Sequence, residues 1–267
     1  MTDRRARGFS LLEAAIAIAI LGLVGAVVAV FLRGPAEGYF DTARRAVLVE
    51  TADNAIRRLA RDVQAALPNS VRPGPSNQCF EFLPLRGGGR YRSEPTTAGG
   101  GDVLDFTVAD SAFDVLAEAA LPNFGASPSG TYQAVVYNLG IPGADAYAGD
   151  NRAGIASSSS ASLFNLAAAK QFPFTSPARR VQVVDNLAVV YSCAGGALVR
   201  STRAISATAL ATCPATGTAL ATNVSTCAFD YTAAVNTRFG VLAVTLGLSS
   251  GVETVQLYHE IHVDNVP

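Results

Sequence analysis

The pattern of apolar and polar residues divides the chain into an apolar run, a stretch with helical periodicity, and a long region of short segments. Residues 14–32 form an uncharged run of 19 positions. A helix of this length rises close to the ~30 Å hydrocarbon thickness of a bilayer. We therefore predict a membrane-spanning helix near the N-terminus.

A second helical pattern follows the apolar run. Gly34-Pro35 predicts a kink or an interruption, because proline removes a helix hydrogen bond and clashes with the preceding turn. Beyond it, apolar residues with spacings of 3, 4, 3, 4 and 3 draw one helix face, and they are Val49, Ala52, Ile56, Leu59, Val63 and Ala66. We expect this stripe to pack on a sheet and Leu67-Pro68-Asn69 to end the helix, since a coiled coil needs more heptads.

From Val71 onward, strand-like segments alternate with glycine, proline and serine, which is typical of antiparallel sheet. We predict hairpin turns at 195–196 and 249–251, and exposed loops at 87–89, 99–101 and 157–160. The predicted strands are 79–84, 103–108, 132–138, 181–193, 197–203, 224–231, 241–248 and 255–263. Without an internal repeat or a second domain boundary, this predicts an α+β fold in which one helix face is covered by antiparallel sheet.

Charge near the N-terminus adds an orientation and an unusual carboxylate. Arg4, Arg5 and Arg7 precede the apolar run, so the positive-inside bias predicts a cytoplasmic N-terminus and export of the remaining chain. Glu13 lies among apolar residues, where an ionised carboxylate costs a few kcal/mol and usually has a partner. An ordinary cleaved signal and a generic uncleaved anchor are the alternatives, although a signal is expected to have a shorter apolar region.

The segment Gly8-Phe9-Ser10-Leu11-Leu12-Glu13 resembles the processing site of type IV pilins and type II secretion pseudopilins. This resemblance implies that a prepilin peptidase/methyltransferase cuts between Gly8 and Phe9 and methylates the new amine of Phe9. It also implies that Glu13 pairs with the N-terminal ammonium of another subunit during assembly. Such a pair offsets the desolvation of a charge in apolar surroundings.

The resemblance also implies a division of the chain and a location. Residues 1–8 are the leader, 9–33 the transmembrane half of the helix, 34–68 its amphipathic half, and 69–267 a periplasmic β-rich head. The implied location is the bacterial inner membrane in a single pass, followed by a pilus or pseudopilus. The implied partners are the prepilin peptidase, other major and minor pilins, the inner-membrane assembly platform and the lipid bilayer.

Five later segments carry a narrower resemblance: ALPNSVR at 66–72, CFEFLP at 79–84, VYNLG at 136–140, GADAY at 143–147 and HEIHVDNVP at 259–267. Together they resemble the O-type minor pilins of mannose-sensitive haemagglutinin pilus systems. This resemblance implies a role in pilus assembly, near the filament tip or in priming. The larger pseudopilins of type II secretion and an adhesive head with its binding surface in the loops 111–177 are the alternatives.

Four cysteines lie after the apolar run, in the compartment predicted to be oxidising: Cys79, Cys193, Cys213 and Cys227. They allow three connectivities. We favour Cys213 with Cys227, which closes a short loop, and Cys79 with Cys193, which joins two strands. Buried free thiols are the alternative, and no Cys-x-x-Cys spacing supports a zinc site.

Little in the sequence points to catalysis or cofactors. The net charge is −1, so no basic excess favours nucleic acid. No nucleophile elbow or phosphate-loop pattern occurs, and we predict no enzymatic activity and no cofactor. His259 and His262 are expected on opposite strand faces, which disfavours a shared metal. Asp145, Asp150 and Asn151 are interpreted as a polar turn, because their spacing does not fit a calcium loop.

Overall fold

The computed structural model describes residues 9–117, 121–232 and 239–267, and its longest element is helix α1, Leu11–Gln64. Ser10 is its N-cap: the backbone is extended, and the N–H of Glu13 donates to Ser10 Oγ at 3.1 Å. This bond satisfies one of the free amide donors of the first turn. α1 continues through Gly34 and Pro35, so the predicted interruption is wrong. A single proline removes one hydrogen bond, and the remaining bonds of a 54-residue helix keep the chain helical.

The second half of α1 packs on sheet, as predicted, but its buried face begins at a different residue. Leu48 is 6% exposed, whereas Val49, which was predicted to lie on the face, is 41% exposed. Leu48 and Val49 lie four and three positions before Ala52, so either spacing fits one helix face. The sheet covers the side on which Leu48 lies. The helix ends at Gln64, slightly before the predicted 67–69. The buried residues on this half are Leu48, Ala52, Ala55, Ile56, Leu59, Ala60 and Val63.

Fourteen strands and two short 3₁₀ turns follow in the described residues. The first seven strands are β1 Arg72–Pro73, β2 Cys79–Phe82, β3 Leu85–Tyr91, β4 Asp110–Ala117, β5 Tyr132–Val136, β6 Arg152–Gly154 and β7 Leu163–Lys170. The other seven are β8 Arg180–Asp185, β9 Leu187–Ala194, β10 Ala197–Ala204, β11 Thr218–Thr222, β12 Val224–Thr232, β13 Phe239–Ser250 and β14 Glu253–Asp264. The 3₁₀ turns are Pro75–Asn77 and Phe124–Ala126.

The strands form three antiparallel sheets, which confirms the α+β class. One sheet has five strands in the order β1-β2-β9-β10-β11, and another has the order β12-β13-β14. These two sheets and α1 share one core, in which the Phe80 ring stacks on Tyr191 at 5.5 Å and meets Phe229 edge-on at 4.9 Å between centroids. Aromatic rings bury large apolar areas, so this cluster holds the helix and both sheets together.

The third sheet has six strands in the order β6-β5-β8-β3-β4-β7 and builds a core of its own. Its centre contains Phe113, Phe164 and Phe172, all fully buried. Among the described side chains, none from α1 belongs to this core. The predicted arrangement of one helix covered by sheet therefore accounts for only part of the head.

Several predicted strands differ from the observed ones. The segment 103–108 contains no strand, and 181–193 is split at Asn186 into β8 and β9. The glycines at 87–89 lie in β3, although they were predicted to be an exposed loop. A Cβ at Gly88 would stand 2.8 Å from the carbonyl oxygen of Val181, so glycine permits the close approach of β8. The hairpins at 195–196 and 249–251 are confirmed by the pairings β9–β10 and β13–β14.

Candidate functional site

The first candidate site is the apolar stem at the start of α1. Leu11–Leu32 is a 22-residue segment long and apolar enough to cross a membrane, and 0% of it is buried in the structure. The stem extends away from the head, so its side chains have no cover from this chain. Uncovered apolar area of this extent marks contact with lipid or with other proteins.

Glu13 lies in the first turn of this stem and is exposed. No ion-pair partner for its carboxylate occurs in residues 9–117, 121–232 or 239–267. The partial positive charge of the helix N-terminus favours a carboxylate at this position. Phe9 directly precedes the Ser10 cap and is also exposed, whereas Gly8 and the leader lie outside the described residues. Within the described residues, the stem therefore presents a carboxylate without an ion-pair partner, one turn after Phe9.

The cysteines form two disulfides, but the favoured pairing is wrong. Cys79 is bonded to Cys213, with Cα atoms 5.6 Å apart, and Cys193 is bonded to Cys227, at 6.2 Å. The register explains the difference. Cys79 lies opposite Ser192 in the β2–β9 ladder, so the neighbouring Cys193 points to the other face of the sheet. The free-thiol alternative is also wrong for these four residues.

Each disulfide joins parts of the head that are distant in sequence, by 134 positions for Cys79–Cys213 and by 34 for Cys193–Cys227. Cys193 on β9 and Cys227 on β12 connect the five-stranded sheet to the three-stranded sheet. Cys213 attaches the segment between β10 and β11 to β2. Gln78 adds a hydrogen bond from its Nε2 to the carbonyl oxygen of Cys227 at 2.9 Å. The Cys193–Cys227 bond therefore fixes how the two sheets around α1 sit against each other, whereas Cys79–Cys213 holds the β10–β11 segment on its own sheet.

A fully buried carboxylate organises the same region. Glu81 on β2 accepts from Nε of Arg72 at 2.7 Å, and from Nε and Nη2 of Arg203 at 2.7 and 2.9 Å. Each arginine also donates to carbonyl oxygens of the segment after β10, Arg72 to Ser206 at 2.5 Å and Arg203 to Thr208 at 2.8 Å. A charge is tolerated in a core when it is paired and hydrogen-bonded. This cluster ties the segment that carries Cys213 onto the sheet.

Arg72 connects this cluster to an open groove. Its guanidinium carbon lies 3.4 Å from the centroid of the Tyr147 ring, a cation–π contact. The Tyr147 hydroxyl donates to the carbonyl oxygen of Ser70 at 3.0 Å. Burial, and then the charge of Glu81, raise the pKa of Tyr147 well above its ordinary value. Tyr147 is thus a neutral, fixed part of the groove wall.

The groove has a volume of about 720 Å³ and is lined by segments that are distant in sequence. Three of them are the chain that leaves α1 at 69–72, the loop at 137–147, and residues 265–267 after β14. The lining is completed by Pro177, Ala178, Arg180 and Tyr231. Asn138 joins the first two: its Nδ2 donates to the carbonyl oxygen of Pro68 at 2.7 Å, and its Oδ1 accepts from the N–H of Ala146 at 2.9 Å. Asn69 joins the first to the third, because its N–H donates to Asn265 Oδ1 at 3.2 Å.

The acidic residues of the loop serve its own backbone. Asp150 Oδ2 accepts from the N–H groups of Gly143 and Asp145, at 2.9 and 3.3 Å. Asp145 Oδ1 accepts from the N–H of Tyr147 at 2.8 Å. Asn151 is buried and donates from Nδ2 to the carbonyl oxygen of Tyr137 at 3.1 Å. This arrangement supports the interpretation as a polar turn.

A metal site was also sought among the titratable side chains that the structure describes. In the described ranges, no group of three or more histidine, cysteine or carboxylate residues is placed to hold a metal. His259 and His262 are both exposed on β14, opposite Val244 and Val241 of β13. Their odd separation places them on opposite faces of the strand, as predicted.

Sequence reasoning did not find the Glu81 cluster or the groove. A signal for the first was present, because a glutamate between the apolar residues of CFEF implies a buried partner. No comparable signal marks the groove, since its walls are distant in sequence: Asn69 and Asn265, which join two of them, are 196 positions apart.

Comparison with known proteins bears on the N-terminal part of the chain. Residues 3–29 match the family model described as the prokaryotic N-terminal methylation motif. No curated protein and no solved structure gives a significant match. The motif supports a type IV pilin-like or pseudopilin-like prepilin subunit, and it implies prepilin peptidase processing and pilin partners in general. The motif and the exposed apolar stem fit a membrane-anchored, single-pass protein.

Proposed function

We propose that this chain is a minor pilin of a type IV pilus of the mannose-sensitive haemagglutinin type. It resides in the bacterial inner membrane with a cytoplasmic N-terminus and a periplasmic head, and it then enters or primes the filament. The observation that carries the proposal is the stem: a 22-residue apolar segment without cover, Leu11–Leu32, most of which lies inside the matched motif at 3–29. Its first turn holds Glu13, which has no ion-pair partner among the described residues.

Processing and assembly both act on the start of the stem. A prepilin peptidase cuts between Gly8 and Phe9, and the amine of Phe9 is then methylated. Glu13 pairs with the N-terminal ammonium of a neighbouring subunit, and this pairing offsets the cost of an ion in apolar surroundings. The apolar side chains that contact lipid before assembly contact other subunits afterwards. The chain acts as a structural subunit, with no enzymatic activity proposed.

Processing is tested by replacing Gly8 with alanine. We expect Gly8→Ala to accumulate as a precursor that retains residues 1–8, measured by intact mass and N-terminal sequencing. Gly38→Ala is the matched control, because a Cβ at Gly38 in α1 meets no atom within 4 Å. A Gly8→Ala protein that still begins at Phe9 would contradict the peptidase assignment.

Assembly is tested separately from processing. We expect Glu13→Gln to be cut normally but to be depleted from sheared pili, measured by immunoblot against the membrane fraction. Glu50→Gln, an exposed carboxylate in the head half of α1, is the control and should be incorporated normally. Full incorporation of Glu13→Gln would refute the pairing role. Intact pili together with loss of protein secretion in a deletion strain would instead assign the chain to a type II secretion system.

A further inference from the structure

The sheet β12-β13-β14 has an exposed outer face. Val255 and Ile261 on β14 are buried in the core shared with α1, so the even-numbered side chains of this strand point away from the helix. Asp230 on β12 and Glu260 on β14 both lie opposite Ala243 of β13, and both are exposed. The two carboxylate residues are therefore about 10 Å apart across one intervening strand.

This outer face is acidic. The three strands contain no lysine or arginine. Neither Asp230 nor Glu260 forms an ion pair with another described residue, and Glu260 accepts only a neutral hydrogen bond, from the Tyr258 hydroxyl at 2.6 Å. Carboxylates on a surface without a cation attract a partner of opposite charge. The outer face therefore favours a basic partner.

The exposed face of α1 beside the head is basic. Arg58 and Arg61 are exposed, and neither forms an ion pair with another described residue. At 3.6 residues per turn they lie about 60° apart, on the side of the helix opposite the buried Ile56 and Leu59. Arg58 follows Leu32, the end of the stem, by about 39 Å of helix, which places it clear of the bilayer.

The basic and acidic faces lie at the same level of the head, because β14 runs along α1. The end of β13 shares a cleft with Leu48, and Asn265 after β14 accepts a hydrogen bond from the N–H of Asn69. Glu260 lies about two thirds of the way along this span, and the corresponding point on α1 is beside Arg61.

A single chain cannot bring the two faces together. The arginines point away from the core on the helix side, whereas the carboxylates point away from α1 on the far side of the sheet. Two copies whose stems lie parallel in one membrane hold the opposite charges at equal height. Such a contact joins unlike surfaces of the two copies, so it can continue from one copy to the next.

We propose that a second copy of this chain docks side by side in the membrane, with Arg58 and Arg61 of one copy on Asp230 and Glu260 of the other. This inference rests on the membrane placement in the proposed function, which makes the stems parallel. Single exposed ion pairs are weak, but two pairs between membrane-confined chains act at a high effective concentration. The contact is therefore reversible and sensitive to salt.

The test reverses the charge of each face in the full mature chain, in zwitterionic detergent micelles at low salt. The helix-face variant carries Arg58→Glu with Arg61→Glu, and the sheet-face variant carries Asp230→Lys with Glu260→Lys. In sedimentation equilibrium we expect the wild type to associate and each variant to associate at least tenfold more weakly, because like charges then face each other.

A mixture of the two variants gives the discriminating result. Glutamates on the helix face of one variant then meet lysines on the sheet face of the other, so an equimolar mixture should associate like the wild type. Glu94→Lys is the control: its side chain is 78% exposed, it follows β3 of the six-stranded sheet, and this variant should associate like the wild type.

Three results would overturn the proposal: a wild-type chain that stays monomeric, reversed variants that associate like it while folded, or a mixture that does not recover. Loss of the helix-face variant from sheared pili, with a monomeric wild type, would assign Arg58 and Arg61 to a different pilin. All variants keep residues 8–13, so cleavage after Gly8 and incorporation through Glu13 test the proposed function separately.

Discussion

Replacement of Glu81 by glutamine tests the buried ion cluster between β2 and the segment after β10. The Glu81 side chain is 1% exposed, and those of its partners Arg72 and Arg203 are 19% and 27% exposed. Glutamine keeps the volume and one carbonyl acceptor but removes the charge. Two guanidinium groups then lose their shared counter-ion while they remain largely desolvated.

The expected cost follows from this geometry. Removing one partner of a buried ion pair costs about 3–5 kcal/mol, because the other charge is left uncompensated. Arg72 and Arg203 keep their bonds to carbonyl oxygens of Ser206 and Thr208. We therefore expect a loss of about 3 kcal/mol in the free energy of unfolding. With an m value of about 2–3 kcal/mol per molar urea, the midpoint falls by about 1–1.5 M.

The assay is urea unfolding of the full chain in detergent micelles. Unfolding is monitored by the far-ultraviolet circular dichroism signal of the strands. Asp53→Asn is the control, since its ion pair with Arg57 is exposed, with 43% and 73% of the side chains accessible, and is worth less than about 1 kcal/mol. A Glu81→Gln midpoint equal to that of the control would show that the buried charge does not stabilise the head. The reasoning from burial would then be wrong.

Two further predictions concern the disulfide between the sheets and the behaviour at high pH. The double variant Cys193→Ser with Cys227→Ser should lose about 4 kcal/mol in the free energy of unfolding, because the disulfide restricts a loop with sequence separation 34 in the unfolded chain. An unchanged urea midpoint would contradict this. Burial, and then the charge of the Asp62 carboxylate, raise the pKa of Tyr191 above the ordinary 10.0. Above about pH 10 the unfolded chain loses this proton while the folded chain keeps it. The free energy of unfolding should therefore fall as the pH rises above about 10. In Tyr191→Phe this fall should be shallower by about 1.4 kcal/mol per pH unit, and identical slopes in urea titrations from pH 9 to 11 would count against it.

Local signals in the sequence were sufficient for the elements that depend on neighbouring residues. The uncharged run predicts the stem. Gly195-Gly196 predicts its hairpin, because glycine accepts the positive φ that a tight turn requires. The α+β class follows because the spacing of apolar residues changes after α1 from a helical pattern to short strand-like segments. Each of these features depends on residues within a few positions of one another, which a single sequence contains.

The features that differ from expectation, or that were not expected, depend on distant pairings. Leu48 rather than Val49 faces the core because of where the sheet lies, and Cys79 faces away from Cys193 because β2 and β9 pair in one particular register. Glu81 finds its second arginine 122 positions away. A one-residue shift in register reverses every side chain on a strand, and local propensity does not specify that register. The stem and the two hairpin turns are therefore determined by the sequence alone, whereas the disulfides, the ion cluster and the groove are decided by the tertiary fold.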